Sequence, residues 1–412
     1  MNRLPQPSIV ITLAFLLVIS FTTPFISSCI NSDAKNKQSA RTELPTLLER
    51  DSRLGSPEER QTVLEQYTTL SNAIWVNEKD MKSRLKLVQL FLQEARVTGE
   101  HGYYYPAALG ILEGILEAKP GPDETFFALL MKASVQLSLH QFTAAKQTAE
   151  KAISINPHNA LVYGALVDAN VELGNYEEAV KMADKMVSIR PDLRSYSRVS
   201  YLREIHGEVE GAIEAMKMAV SAGYPGLEET TWCLLTLGHL YETYGDTLQA
   251  RIQYETALVQ RENYPFAIAA LGSLAKKQGD FDRAEKLLKK ACEIIPEVGF
   301  YEDLALLYKE TGREKEAQKL SEEILLMLAD DEKNGHQMGL EHANVALNLL
   351  NDPQTALDKV LKEYALRPLN IQVNQQLAEI YTHLGETEKA KKHLEIAMRT
   401  GSRDPELAAL NN

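Results

Sequence analysis

Arg194 and Arg198 stand four residues apart, so on a helix their guanidinium groups lie one turn above each other and could grip a carboxylate bidentately. Tyr201 follows, and Trp232 and His239 come in the next stretch of similar pattern. Trp, Tyr and Arg dominate binding hot spots because each buries much area while keeping a polar handle. These five residues are the candidate binding set. A second reading of the arginines, as solvated side chains or partners of Glu204 and neighbouring acids, stays open. Catalysis has no comparable constellation. There is no Gly-rich phosphate loop, His-Glu-x-x-His pair, Cys-x-x-Cys pair or nucleophile elbow. His336 and His342 fall on different faces of a helix, and His383 and His393 read as isolated exposed imidazoles in separate helices rather than metal ligands. No enzyme activity, cofactor or metal is expected.

The chain has 412 residues, 25% of them charged and 44% hydrophobic, an ordinary balance for a folded protein in water. Its formal net charge of −13 argues against tracking nucleic-acid phosphates, which requires Lys and Arg in excess. Nucleic acid is not an expected partner. Local clusters such as Lys286, Lys289 and Lys290 read as the solvated face of a helix. Cys233 and Cys292 fall inside predicted helices and read as small buried hydrophobes rather than a disulfide.

The N-terminus is a different material. Met-Asn-Arg precedes an apolar run, Ile9 to Ile19, which ends in Pro24 and Ile26-Ser27-Ser28-Cys29. A short positive region, an apolar core and small residues after it read as an export signal over residues 1–28. The run is too short to be a membrane span. Ile26 to Cys29 resembles the lipobox of bacterial lipoproteins, which implies cleavage before Cys29 and a lipid on its thiol. An ordinary signal peptide with Cys29 incidental is the alternative. The polar Asn31 to Thr42 reads as a flexible tether, and residues 29–55 are assigned to lipidated Cys and tether together.

Ser56-Pro57-Glu58-Glu59 supplies an N-cap, a proline at the first helical position and an acid at the third. A helix with Val63, Leu64, Tyr67, Leu70 and Ile74 on one face follows. Lys79 to Val97 reads as another, Gly99 to Pro106 as an interruption, and Ala107 to Ala118 as a resumed helix, together a divergent unit within residues 56–125. Tyr103, Tyr104 and Tyr105 are expected to pack the enlarged loop onto the rest.

From Phe126 onward the pattern becomes regular. The small residues opening each second helix are Ala145, Ala179, Ala212, Ala250, Ala284, Ala317, Ala356 and Ala390, with gaps of 34, 33, 38, 34, 33, 39 and 34. The two long gaps place insertions at Ser221 to Gly226 and around Asp330 to Gly335. Pro157, Pro191, Pro296 and Pro368 follow the second helices, and glycines such as Gly174, Gly245 and Gly279 make the turns. Leu234 to Ala257 is the clearest copy: Leu234, Leu237, Gly238 and Tyr241 on one helix face, a Gly245-Asp246 turn, then Ala250, Tyr254 and Ala257. This pattern resembles the tetratricopeptide repeat, an antiparallel helix pair that stacks on copies of itself. The resemblance covers residues 126–405 as eight units, with 406–412 a short end. It implies an all-α, right-handed superhelical solenoid. Asn344 replaces a small residue and Asn351 a turn glycine, so the seventh unit is expected to depart from the pattern.

In such arrays the second, fifth, sixth and ninth positions of the first helices line the concave face and contact peptides. Here those positions include Phe127, Leu130, Met131 and Ser134, then Leu161 and Asp168, then Arg194, Ser197, Arg198 and Tyr201, then Trp232, Leu235, Thr236 and His239, and Phe266. Members that clamp a chaperone's C-terminal carboxylate carry Lys and Asn where this chain has Leu130, Ser134 and Ala165, which disfavours that ligand. The expected function is a non-enzymatic scaffold, lipid-anchored in a bacterial cell envelope, whose partner is a protein or peptide. Carbohydrate binding in a nutrient-uptake lipoprotein, with Tyr103 to Tyr105 as an aromatic platform, is the alternative. A subunit role in an outer-membrane assembly or peptidase adaptor is a special case of the first.

Overall fold

The computed structural model describes residues 44–410, so Cys29, the signal segment and most of the tether lie outside the described residues. Every regular element among the described residues is helical. Three helices come first: α1 (Pro57–Val76), α2 (Met81–Thr98) and α3 (His101–Glu117). Four regular pairs follow: α4 (Pro122–Ser138) with α5 (Phe142–Ile155), α6 (Ala160–Glu172) with α7 (Tyr176–Ile189), α8 (Leu193–Ile205) with α9 (Val209–Ala222), and α10 (Glu228–Thr243) with α11 (Thr247–Gln260). Then come α12 (Pro265–Lys277) with α13 (Phe281–Ile294), and α14 (Val298–Glu310) with α15 (Glu314–Lys333). The seventh unit joins α16 (Gly339–Asn344), a π-helical turn (Val345–Leu349) and α17 (Pro353–Leu366). The eighth joins α18 (Ile371–His383) to α19 (Thr387–Ala397), and α20 (Pro405–Leu410) caps the array.

The eight pairs fall where the alanine spacing puts them. All eight marker alanines are buried, from Ala145 at 0% exposure to Ala390 at 8%. Gly238 shows why the small positions matter: a Cβ there would lie 2.3 Å from the Tyr254 ring, so the helices of that unit meet through the missing side chain. The seventh unit departs from the pattern, as its asparagines foretell. Asn351 takes the turn glycine's place with φ +53°, a left-handed conformation that asparagine tolerates better than most residues. The π turn lies directly after Asn344.

Three expectations change. The stretch from His101 to Tyr105 is helical, and Pro106 sits inside α3 instead of ending a loop. In the second turn of a helix a proline forfeits one backbone hydrogen bond, so the helix runs on. The turn before it is Gly99 in left-handed conformation. Residues 44–55 are not tether: Leu44, Leu47 and Leu48 pack on the core of α1 to α4, and Arg50, almost fully buried, pairs with Glu94 and with Glu59 at 2.8 Å. Finally, the insertion at residues 330–335 mostly lengthens α15 to 20 residues.

That insertion helps to close the array on itself. Gly335 O accepts from Gln141 Nε2 at 2.9 Å, and Gln337 N donates to Leu139 O at 3.1 Å, so the end of α15 meets the turn of the first unit. The contact continues through the next two units. Arg367 Nη1 bonds Glu172 Oε2 at 2.6 Å, Asn370 Nδ2 donates to Glu172 O, and Ile371 N donates to Tyr176 Oη at 2.8 Å. Arg399 donates to Gly174 O and lies over the Tyr176 ring. Gly174 has a second role here beyond its φ of +76°: a Cβ on it would come within 2.4 Å of the Leu369 carbonyl carbon. Ile371 is buried in the core of α6, α7 and α8. On the other side Glu59 pairs with Arg261 at 2.9 Å, tying α1 to the residue after α11.

Candidate binding cavity

The closure converts the concave face into a cavity of about 770 Å³. Its walls are the first helices α6, α8 and α10 on one side and α16, α18 and the α20 segment on the other, with Arg96 of α2. All five candidate residues, Arg194, Arg198, Tyr201, Trp232 and His239, line it. So do Asp168, Ser197 and Thr236, whereas Leu235 is fully buried and belongs to the core.

Local chain geometry sets this arrangement. Asp192 caps α8, accepting from Arg194 N and Ser195 N, and the Ser195 hydroxyl accepts from Asp192 N in return. That capping box fixes where α8 starts, and therefore which of its residues face the cavity. Gly164 leaves room for Arg198, since a Cβ there would stand 3.3 Å from the guanidinium.

The two arginines already hold carboxylates of their own chain. Arg198 donates through Nε to Asp168 Oδ1 at 2.8 Å and through Nη2 to Oδ2 at 2.6 Å, a two-pronged pair, and its Nη1 donates to Arg194 O. Arg194 Nη2 donates to Glu229 Oε1 at 2.6 Å. The partners are thus Asp168 and Glu229 rather than Glu204. His239 Nδ1 lies 3.0 Å from Tyr254 Oη, which itself donates to Glu242. The hydroxyl's proton being committed, the imidazole donates through Nδ1. Burial holds the His239 pKa below the usual value, so the ring is neutral. Trp232 is 38% exposed.

The expected exposed imidazole His393 is buried instead. It sits between Tyr364 and Tyr381, with Nδ1 2.8 Å from Asn374 Oδ1. His336 is buried too, and burial lowers its pKa to about 4. No grouping of His, Cys, Asp and Glu among the described residues could hold a metal ion. The tyrosine triplet is committed to packing: Tyr104 and Tyr105 are buried, and Tyr103 Oη donates to Thr46 O.

One wall was missed. Gln372, Gln375, Gln376 and Glu379 of α18 all face the cavity. They occupy the same second, fifth, sixth and ninth positions already counted in earlier units, so extending that rule to the last unit finds them. Glu204, Asp404 and Glu406 complete the acidic end of the cavity. Burial and the neighbouring Asp404 charge push Glu204 up to about 7, and burial with the Glu406 charge does the same for Glu379.

A stack of helix pairs whose first helices share one ligand-sized cavity defines a helical-repeat scaffold. Family profiles described as Tetratricopeptide repeat match residues 136–203, 267–298 and 371–399. The chain thus carries tetratricopeptide repeats, which support a protein-interaction scaffold. It is 23% identical over 383 residues to BBSome complex member BBS4 of Bos taurus, covering 90% of this chain and 72% of that protein. Small glutamine-rich tetratricopeptide repeat-containing protein 2 of Saccharomyces cerevisiae is 32% identical over 90 residues, 22% of this chain and 26% of its own. Among solved structures, the human IFIT1 dimer with PPP-AAAA aligns with a TM-score of 0.47 and 15% identity, over 86% of this chain and 96% of that one.

Proposed function

We propose that this protein is a non-enzymatic scaffold, held in a bacterial cell envelope by a lipid on Cys29, that captures a segment of a protein partner in its central cavity. The observation carrying the reading is that Arg194, Arg198, Tyr201, Trp232 and His239, drawn from two successive units, line one cavity. Anchor residues gathered in a concave, partly desolvated site are what a protein-binding hot spot requires. The sugar-binding alternative loses its platform, because the tyrosine triplet packs inward.

Arg198→Ala combined with Trp232→Ala is expected to weaken partner capture about tenfold or more, the loss typical of hot-spot truncation. Melting temperature changes little, because Asp168 keeps contact with water at 35% side-chain exposure. In vivo crosslinking read by mass spectrometry is the measurement, and undiminished capture by the double variant removes the cavity from the function. The anchor is tested separately. Metabolic labelling with a fatty acid should disappear in Cys29→Ala, and labelling that persists excludes the lipid on this residue.

A further inference from the structure

The seam that closes the array encloses a titratable group for which the cavity has no use. His336 lies between Gly335 and Gln337, the two residues through which the end of α15 bonds the turn of the first unit. It is 4% exposed, and neither ring nitrogen has a hydrogen-bond partner among the described residues. Its surroundings supply rings rather than a counter-charge. From α3, His101 and Tyr105 stand with their ring centroids 6.2 and 6.1 Å from its own. From the first unit's turn comes His140, whose Nδ1 lies 3.0 Å from Gln337 O. From α15 itself comes Asp331, whose main-chain carbonyl accepts from the His336 backbone N–H at 3.1 Å.

An imidazole in water takes up a proton near pH 6.5, whereas a buried one without an acceptor keeps its neutral form. Burial, reinforced by His140, holds His336 at about 4, and only the Asp331 carbonyl works against them. The closed seam therefore refuses a proton that an open seam, with the ring in water, accepts. A value depressed in the closed state gives a stability that is complete above about pH 6.5 and is lost as pH falls towards 4. The segment also leads straight into the binding site: Leu340, Glu341 and Asn344 of α16, which follow it, form part of the cavity wall.

We infer that His336 is an acid-sensitive latch on the closure of the array: its protonation parts residues 335–337 from the turn of the first unit and frees the α16 wall of the cavity. The latch itself is independent of what the cavity holds, and its control over capture rests on the cavity reading proposed above.

Amide hydrogen exchange of the full chain in detergent, compared at about pH 7.5 and about pH 5 after correction for intrinsic exchange, tests this. The Gln337 N–H, which donates to Leu139 O, is expected to lose protection about tenfold or more at the lower pH, the change in open-to-closed ratio that the two proton affinities imply. The Leu288 amide, in the core of the middle units, keeps its protection, which separates opening from unfolding. H336F and H336Q cannot take up the proton, and Gln337 in either of them should be protected equally at both pH values. Acid loss of protection that persists undiminished in both variants overturns the inference, as does a parent indifferent to pH. So does a His336 ring that titrates at its ordinary value in the closed chain, followed by NMR of labelled histidine and assigned by its absence from H336Q. If pH leaves Gln337 unmoved while the Arg198 and Trp232 variant loses its partners, the latch is wrong and the cavity reading stands. If acid opens the seam while that variant keeps its partners, the latch stands and the cavity reading falls.

Discussion

Arg367→Ala is expected to open the array and to divide its unfolding into two steps. The Arg367 side chain is 5% exposed, bonds Glu172 at 2.6 Å and Glu363 at 3.0 Å, and lies over the Phe142 ring at 4.8 Å. It thus joins the junction of the seventh and eighth units to the first and second. Removing it strands two carboxylates, and Glu363 is itself only 6% exposed. Breaking a buried ion pair from one side costs on the order of 3–5 kcal/mol. An open repeat array is roughly one-dimensional, each unit feeling only its neighbours, whereas this contact couples units about 195 residues apart. Without it the last two units lose their support before the middle does. Circular dichroism should report a split or broadened transition, and amide exchange at Ile371 should quicken, since its N–H bonds Tyr176 Oη across the same seam.

The pH dependence of that variant has a definite sign. Burial already pushes the Glu172 carboxyl above its ordinary value even with Arg367 beside it. With the cation gone the folded-state pKa rises further above the unfolded one. The stability deficit is then smallest at acid pH and grows as pH rises through the folded pKa. A single transition at the parent's temperature, unmoved by pH, would contradict the role given to this residue.

Ala284→Arg has the second large effect, at the centre of the stack. Ala284 is 0% exposed in the core shared by α11 to α14. How close α12 and α13 approach is visible at Gly272, where a Cβ would stand 3.0 Å from Leu288 Cγ. An arginine at 284 must either bury an unpaired cation or drive the helices apart, a loss of several kcal/mol. Helical signal and melting temperature should both fall. Unchanged thermal unfolding would mean that the repeat register is misassigned.

The helix pairs were legible because their signals are local and redundant. The marker alanines recur eight times, turn glycines and helix-stopping prolines keep the same register in several units, and α5, α7, α13 and α17 each end two residues before Pro157, Pro191, Pro296 and Pro368. The closure was not legible. It follows from small rotations summed over many units, which no spacing of residues records. Gly174 hides its second role behind its first, since a turn glycine looks the same whether or not another backbone rests on it. His393 misleads in a similar way. A polar side chain on a predicted amphipathic helix reads as exposed until its acceptor, Asn374 on the preceding helix, is known. Pro106 was taken for a break because a proline's identity tells nothing of its distance from the helix start.

The candidate binding residues were half legible for the same reason. Arg194, Arg198, Tyr201, Trp232 and His239 stand out by type, and the fold brings them to one cavity. What type cannot tell is that Asp168 and Glu229 answer the arginines, or that α18 supplies the facing wall.

The seam also has a consequence for how the molecule is made. Chains emerge from the ribosome N-terminus first and fold unit by unit as they appear. Helices α4 to α11 can stack while the rest is still being translated, but the residues that meet them across the seam, Arg367, Ile371 and Arg399, arrive some 200 residues later. Until then Glu172, Tyr176 and Gly174 face water, and the site has one wall. The last units act as a keystone: the nascent chain is an open trough for most of its synthesis, and it becomes a vessel only when its final tenth or so of sequence, from α18 onward, has been laid in place.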